Sequence, residues 1–115
     1  MWLEGSYLEI VTCNTEEVCA AYAVQGAEFG EPVPELGNAR TAHLAGGGLV
    51  GVRAPLRDSE RPVVRPYWLV EDIESAVSAI MEAGGTVAVP PMELPGRGRC
   101  AIYLLGGNDH GLWQR

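Results

Sequence analysis

The stretch Arg65 to Gly85, RPYWLVEDIESAVSAIMEAGG, decides the fold. Its first residues suit a strand. Asp72 then offers a side chain that accepts from backbone N–H groups at a helix start. Ile73, Ala76, Val77, Ile80 and Met81 follow at helical spacing, and Gly84-Gly85 closes the helix. An earlier stretch, Tyr7 to Ala27 (YLEIVTCNTEEVCAAYAVQGA), lies on it without a gap at a constant offset of 58 residues. Asn14 then falls on Asp72, Glu16 on Glu74 and Gly26 on Gly84. Val11/Leu69, Cys19/Val77, Ala21/Ala79 and Tyr22/Ile80 pair as apolar positions. Identity is low, but the order of strand, cap, helix and glycine is shared. A repeat of this kind fixes architecture before any local motif does. The chain is expected to be two copies of one unit.

Outward from the repeat, Leu3 to Cys13 alternates as a strand, with Tyr7, Glu9 and Val11 on one face. Asn14 and Glu17 have the spacing of a capping box before the helix Thr15 to Gln25. Phe29-Gly30 enters a loop or short strand ending at Pro32-Val33-Pro34, where two prolines disfavour a central strand. Thr41 to Leu44 and Leu49 to Ala54 form a hairpin about Gly46-Gly47-Gly48, and Pro55 to Pro62 links the two units. In the second unit Val63 to Val70 is a strand and Thr86 to Val89 a short one. Pro90 to Arg99 is an irregular loop, and a last hairpin turns at Gly106 to Asp109. Each half therefore reads β-α-β-β-β.

At 115 residues the chain is one domain. No apolar run approaches the roughly 18 residues of a membrane span, and MWLEGSYLEI lacks the features of a signal peptide, so a cytoplasmic location is expected. Cys13, Cys19 and Cys100 have no CxxC spacing and are expected to be small buried hydrophobes. The net charge is −7, and residues 1 to 39 hold seven glutamates and no base, a surface that should repel nucleic acid. There is no glycine-flanked serine elbow, and Gly46-Gly47-Gly48 precedes no helix start that would make it a phosphate cradle.

A duplicated β-α-β-β-β unit of this length resembles the vicinal oxygen chelate superfamily of glyoxalase I, bleomycin-resistance proteins and extradiol dioxygenases. The second half carries most of the resemblance, in PYWLVEDIESAVSAIMEAGG, VPPMELPGRGRCAIYLL and HGLWQ; the first contributes YLEIVTCN and VGVRAPL. Leu104-Leu105-Gly106 departs from many relatives, which have Asp-Pro-x before the glycine. The resemblance implies an α+β fold in which two tandem units, about 1–55 and 63–115 with a linker at 56–62, form a U-shaped, eight-stranded mixed sheet around a cavity. It also implies, in metal-dependent members, one ligand from the first and last strand of each unit. Those positions here are Tyr7, Gly51, Arg65 and Gly111, none a good ligand for a divalent ion. His43 and His110 are expected to be exposed or turn histidines, and no metal or other cofactor is expected.

Strand alternation from those positions gives the expected ligand-binding residues: Tyr7, Glu9, Arg53, Arg65, Tyr67 and Trp113. Phenols, an indole and guanidinium groups suit a partly aromatic small molecule, and an arginine suits a carboxylate or phosphate. Glu9 could equally pair with one of the arginines. Trp2 and Trp68 fall outside this set and are expected to make core or dimer contacts. The expected function is metal-free binding of a small molecule such as an antibiotic or aromatic metabolite, in a homodimer. The alternatives are an isomerase or lyase using Glu9 or Tyr7 as base with Arg53 or Arg65 holding an anion, and an accessory module with a vestigial pocket.

Overall fold

The computed structural model describes residues 4–44 and 47–115. They divide into two compact units, Tyr7–Val64 and Arg65–Arg115, the latter together with residues 4–6. Trp2 and Gly46, which figure in the sequence reading, lie outside the described residues.

The first unit runs β1 (Glu4–Val11), α1 (Thr15–Ala23), a 3-10 turn (Pro34–Leu36), β2 (Arg40–His43) and β3 (Leu49–Arg53), with strand order β2-β3-β1. β3 pairs parallel to β1 and antiparallel to β2. The strand expected between the helix and β2 is absent from the described residues. Only an isolated bridge, Val33 to Ala39, stands in its place. Pro32 and Pro34 remove the N–H groups a ladder needs. Gly37 (φ 68°) and Asn38 (φ 63°) then turn the chain straight back in left-handed backbone.

The second unit is the expected β-α-β-β-β: β4 (Val63–Leu69), α2 (Ile73–Glu82), β5 (Thr86–Leu94), β6 (Gly98–Leu105) and β7 (Asn108–Gln114), in order β4-β7-β6-β5. The chain is thus α+β and mixed, with seven strands among the described residues rather than eight. The irregular loop expected at Pro90 to Arg99 is mostly sheet. β5 continues through Pro90-Pro91 to Leu94, with irregular register between Val87 and Met92. Proline is tolerated there because β5 lies at an edge and is bulged where the prolines fall. The last hairpin is tighter than expected: Leu105 pairs with Asn108 across Gly106 (φ 60°) and Gly107 (φ 78°).

The two helices are capped differently. Asp72 accepts from the Ser75 N–H (3.2 Å) and hydroxyl (2.9 Å), and these bonds hold its carboxyl below the usual range. Gln114 Oε1 accepts from the Ile73 N–H at 2.8 Å, so the end of β7 also caps α2. At the other end the Gly85 N–H reaches the Ile80 carbonyl and the Gly84 N–H that of Met81, the paired bonds of a Schellman stop. Asn14, expected to match Asp72, makes no side-chain cap. Its own N–H donates to Thr12 Oγ1 instead, at 3.0 Å.

Each helix covers an apolar sheet face. Ile10, Cys19, Ala42, Val50 and Val52 form the α1 core; Val70, Ile73, Ala101, Tyr103 and Leu112 form that of α2, with Trp68 packed against it. Burial pushes the Cys19 thiol and the Tyr103 phenol up. Cys100 is also buried, but Cys13 is exposed, because it follows β1 at the chain's exit towards α1. His43 is exposed, while His110 is half-buried and stacks on Tyr103, centroids 5.2 Å apart. Among the described residues no helix is long and apolar enough to cross a membrane.

Candidate functional site

Strand pairing sorts the six expected site residues onto faces. In the first unit Glu9 stands opposite Gly51 and Val11 opposite Arg53, so Tyr7, Glu9, Gly51 and Arg53 share the face turned away from the α1 core. In the second, Tyr67 stands opposite Gly111 and Leu69 opposite Trp113, so these share the face away from the α2 core with Arg65. All six are buried, each no more than 7% exposed. Glu9, Arg53 and Arg65 are the buried charged side chains among the described residues, and all lie on these faces.

The glycines on these faces make room for phenols. A side chain at Gly51 would collide with the Tyr7 hydroxyl and ring end, and one at Gly111 with the Tyr67 ring itself. Tyr67 lies over its direct partner, whereas Tyr7, opposite Leu49, leans two residues along β3 to reach Gly51.

Arg53 on the first unit's face donates to two carboxylates and a carbonyl. Its Nε–H donates to Glu9 Oε2 at 2.7 Å. Its two terminal nitrogens donate to the two oxygens of Glu60, at 2.8 and 2.7 Å, and one also to the Ala54 carbonyl at 3.2 Å. The Glu60 fork, then Glu9, raise the guanidinium's pKa further above its already high ordinary value, against the opposing effect of burial. Glu60 was not among the residues singled out by sequence. Its spacing from Arg53 carries no motif, and only the fold of the 54–62 segment joins them. The same Glu60 carboxylate accepts from the Leu56 N–H at 2.7 Å.

In the second unit Arg65 donates to Asp109 Oδ2 at 3.0 Å across the β4–β7 pair. Trp113 donates its indole N–H to the Arg97 carbonyl at 2.7 Å. The indole thereby ties the Pro95-Gly96-Arg97 turn to β7. Within that turn the Arg97 N–H returns to the Leu94 carbonyl at 2.8 Å.

The positions that the resemblance assigns to metal ligands do not fit a divalent ion. Two are glycines overlain by phenols, one is a tyrosine, and one is an arginine committed to a carboxylate. Among the described residues no three or more His, Cys, Asp or Glu side chains group so as to hold a metal.

No family model matches the chain, and no curated protein does. Solved structures do match, over nearly the whole length. A hypothetical protein from Bacillus halodurans superimposes with a TM-score of 0.78 at 13% identity, covering 100% of this chain and 96% of that one. A glyoxalase/bleomycin resistance protein/dioxygenase superfamily member from Vibrio splendidus gives 0.70 at 16%, covering 99% and 100%. A Streptomyces coelicolor methylmalonyl-CoA epimerase variant, in complex with 2-nitronate-propionyl-CoA, gives 0.68 at 16%, covering 99% and 98%. The chain has the vicinal oxygen chelate fold.

Proposed function

We propose that the chain is a single glyoxalase-like domain that binds a small, partly aromatic organic molecule without a metal, on the sheet faces turned away from its helices. One contrast carries this reading. The helix-facing sides are apolar, as packing alone requires, and hold none of the buried charges among the described residues, while the opposite faces hold Glu9, Arg53 and Arg65 beside Tyr7, Tyr67 and Trp113. Burying charge is costly unless it is paired. A face built only to fill space would bury no charge, just as the helix-facing sides bury none among the described residues. Aromatic surface with a few placed polar groups, as each unit's face carries, is the make-up of a small-molecule site. The fold accommodates such ligands, as the liganded epimerase neighbour illustrates.

In this reading the protein acts as a cytoplasmic homodimer, and its partner is the small molecule, with no role for nucleic acid or membrane. The test is native mass spectrometry of untagged protein purified without chelator. The expected species is a dimer free of stoichiometric metal that carries an organic adduct, which Tyr67→Ala or Tyr7→Ala releases. A stoichiometric transition metal would overturn the metal-free reading.

A second reading, an isomerase or lyase using Glu9 or Tyr7 as base, draws on their shared placement on one buried face. Glu9 Oε2 already accepts from Arg53, which favours binding over proton transfer. Exchange of a substrate's α-proton with deuterated solvent, lost in Glu9→Gln, would promote the second reading to first.

A further inference from the structure

The Arg53 guanidinium meets two carboxylates, and they hold it in different ways. Glu9 is part of β1 and takes the Nε–H from within the sheet, its side chain 8% exposed. Glu60 faces the two terminal nitrogens with both oxygens, the fork-to-fork arrangement by which arginine grips a free carboxylate. Its side chain is 17% exposed, and it reaches Arg53 from a segment with no helix or strand. That segment is bounded by Pro55 and Pro62, its residues 56–59 are exposed, and Leu56 alone is 64% exposed. Within it the Glu60 N–H donates to the Arg57 carbonyl at 3.0 Å. On the inner side Gly37, in left-handed backbone, lets the 3-10 turn close against the Arg53 stem: a Cβ there would stand 3.0 Å from Arg53 Cδ. The stem is therefore walled in while the fork faces a surface segment.

We infer that Glu60 is a resident stand-in for a ligand's carboxylate, and that a small carboxylate anion takes its place on the Arg53 fork while the 54–62 segment swings aside. One guanidinium needs one carboxylate for neutrality, and Glu9 supplies it. Glu60 is the second, so its exchange for an external carboxylate leaves the local charge unchanged. The bound anion recovers the two charge-assisted bonds that Glu60 gives up. The inference rests on the ligand-binding reading and narrows its ligand to a carboxylate.

The test uses benzoate and acetate against chloride at matched ionic strength, with full-length wild type, Glu60→Ala and Glu60→Gln. Two quantities are read: the thermal midpoint, and the Nε–H NMR resonance of Arg53. Freed of its internal competitor, Glu60→Ala should bind benzoate at least about tenfold more tightly than wild type, the worth of about 1.4 kcal/mol of lost competition. Its midpoint should rise with benzoate and not with chloride, and the Arg53 resonance should shift. Glu60→Gln keeps an acceptor for Leu56 and serves if the alanine variant does not fold. Variants whose midpoint and Arg53 resonance ignore both carboxylates would overturn the inference and show Glu60 to be a structural fastening only. An organic adduct on wild type with carboxylate-blind variants overturns this inference but leaves ligand binding standing. Variants that take benzoate when wild type carries no adduct uphold this inference and overturn only the expectation that wild type retains its ligand through purification.

Discussion

Removing the two carboxylates of Arg53 one at a time and together should give strongly non-additive losses of stability. Arg53, Glu9 and Glu60 have side chains 6%, 8% and 17% exposed, so their interaction is little screened by solvent. Glu60→Ala deletes a two-bond fork and an acceptor for the Leu56 N–H, but leaves Arg53 paired with Glu9. Glu9→Ala deletes the acceptor of the Arg53 Nε–H and leaves the Glu60 fork. Each single change should cost about 1–3 kcal/mol, the range for hydrogen bonds to charged groups. The double variant leaves a buried guanidinium with only the Ala54 carbonyl. Removing the last partner of a buried ion costs about 3–5 kcal/mol. The double variant should therefore lose about 2 kcal/mol more than the sum of the singles, within the range seen for residues sharing one network. Urea unfolding at constant slope gives the three values. The Gln pair serves as a milder cycle if the double alanine variant is unfolded. Losses that add to within about 0.5 kcal/mol would refute the argument, because they would mean Arg53 does not depend on these two groups for its charge balance.

Four further outcomes follow from other parts of the fold. Gly111→Ala should destabilise by about 1–3 kcal/mol, as overpacking does, and more than Gly51→Ala. The added methyl meets the body of the Tyr67 ring at Gly111 but the outer end of the Tyr7 side chain at Gly51; equal losses in thermal unfolding would contradict that geometry. Asp72→Ala should lower the thermal midpoint more than Asn14→Ala, since only Asp72 accepts a cap bond. Asp72 and Glu74 both have carboxyls held below their ordinary values, Asp72 by the Ser75 bonds and Glu74 by Arg99. Their contribution is complete above the ordinary carboxylate range and lost as pH falls through the lowered values. The acid limb of a stability–pH profile should therefore flatten in the Asp72→Ala/Glu74→Ala variant. Of the three thiols, Cys13 alone should react with a water-soluble alkylating agent in the folded protein, with Cys19 and Cys100 following on unfolding, as counted by intact mass.

Where residues write their structure locally, the sequence was legible. The glycine stop of α2 and the Asp72 cap follow from single residues acting over one turn. Alternation along β1, β3, β4 and β7 was enough to group the six residues on the faces away from the helices, because a strand's period is strict. What failed depends on neighbours distant in sequence. Pro90-Pro91 reads as a loop until β5 is known to be an edge strand, where a proline forfeits no ladder bond on its open side. Asn14 matches Asp72 in type, yet Thr12 claims its N–H and the side-chain cap is not made. The Glu60 fork was invisible for the same reason: a polar proline-bounded segment looks like a linker whether or not one carboxylate in it folds back.

The repeat also explains why the two faces differ. Strand register places Gly51 and Gly111 at equivalent points, opposite Glu9 and Tyr67, which the repeat itself equates. In the second unit the ring opposite the glycine fills the space above it directly. In the first the residue opposite is a glutamate, so the space is filled from Tyr7, one strand repeat earlier. That exchange releases Glu9 to turn to Arg53, whose counterpart in the second unit is Trp113. Arg53 then recruits the following segment through Glu60, as Trp113 recruits the preceding turn through the Arg97 carbonyl. Both units thus use the residue two past the glycine to hold a loop. The first does so with charge and the second with an indole N–H. Of these two fastenings only the charged one can be exchanged for an anion.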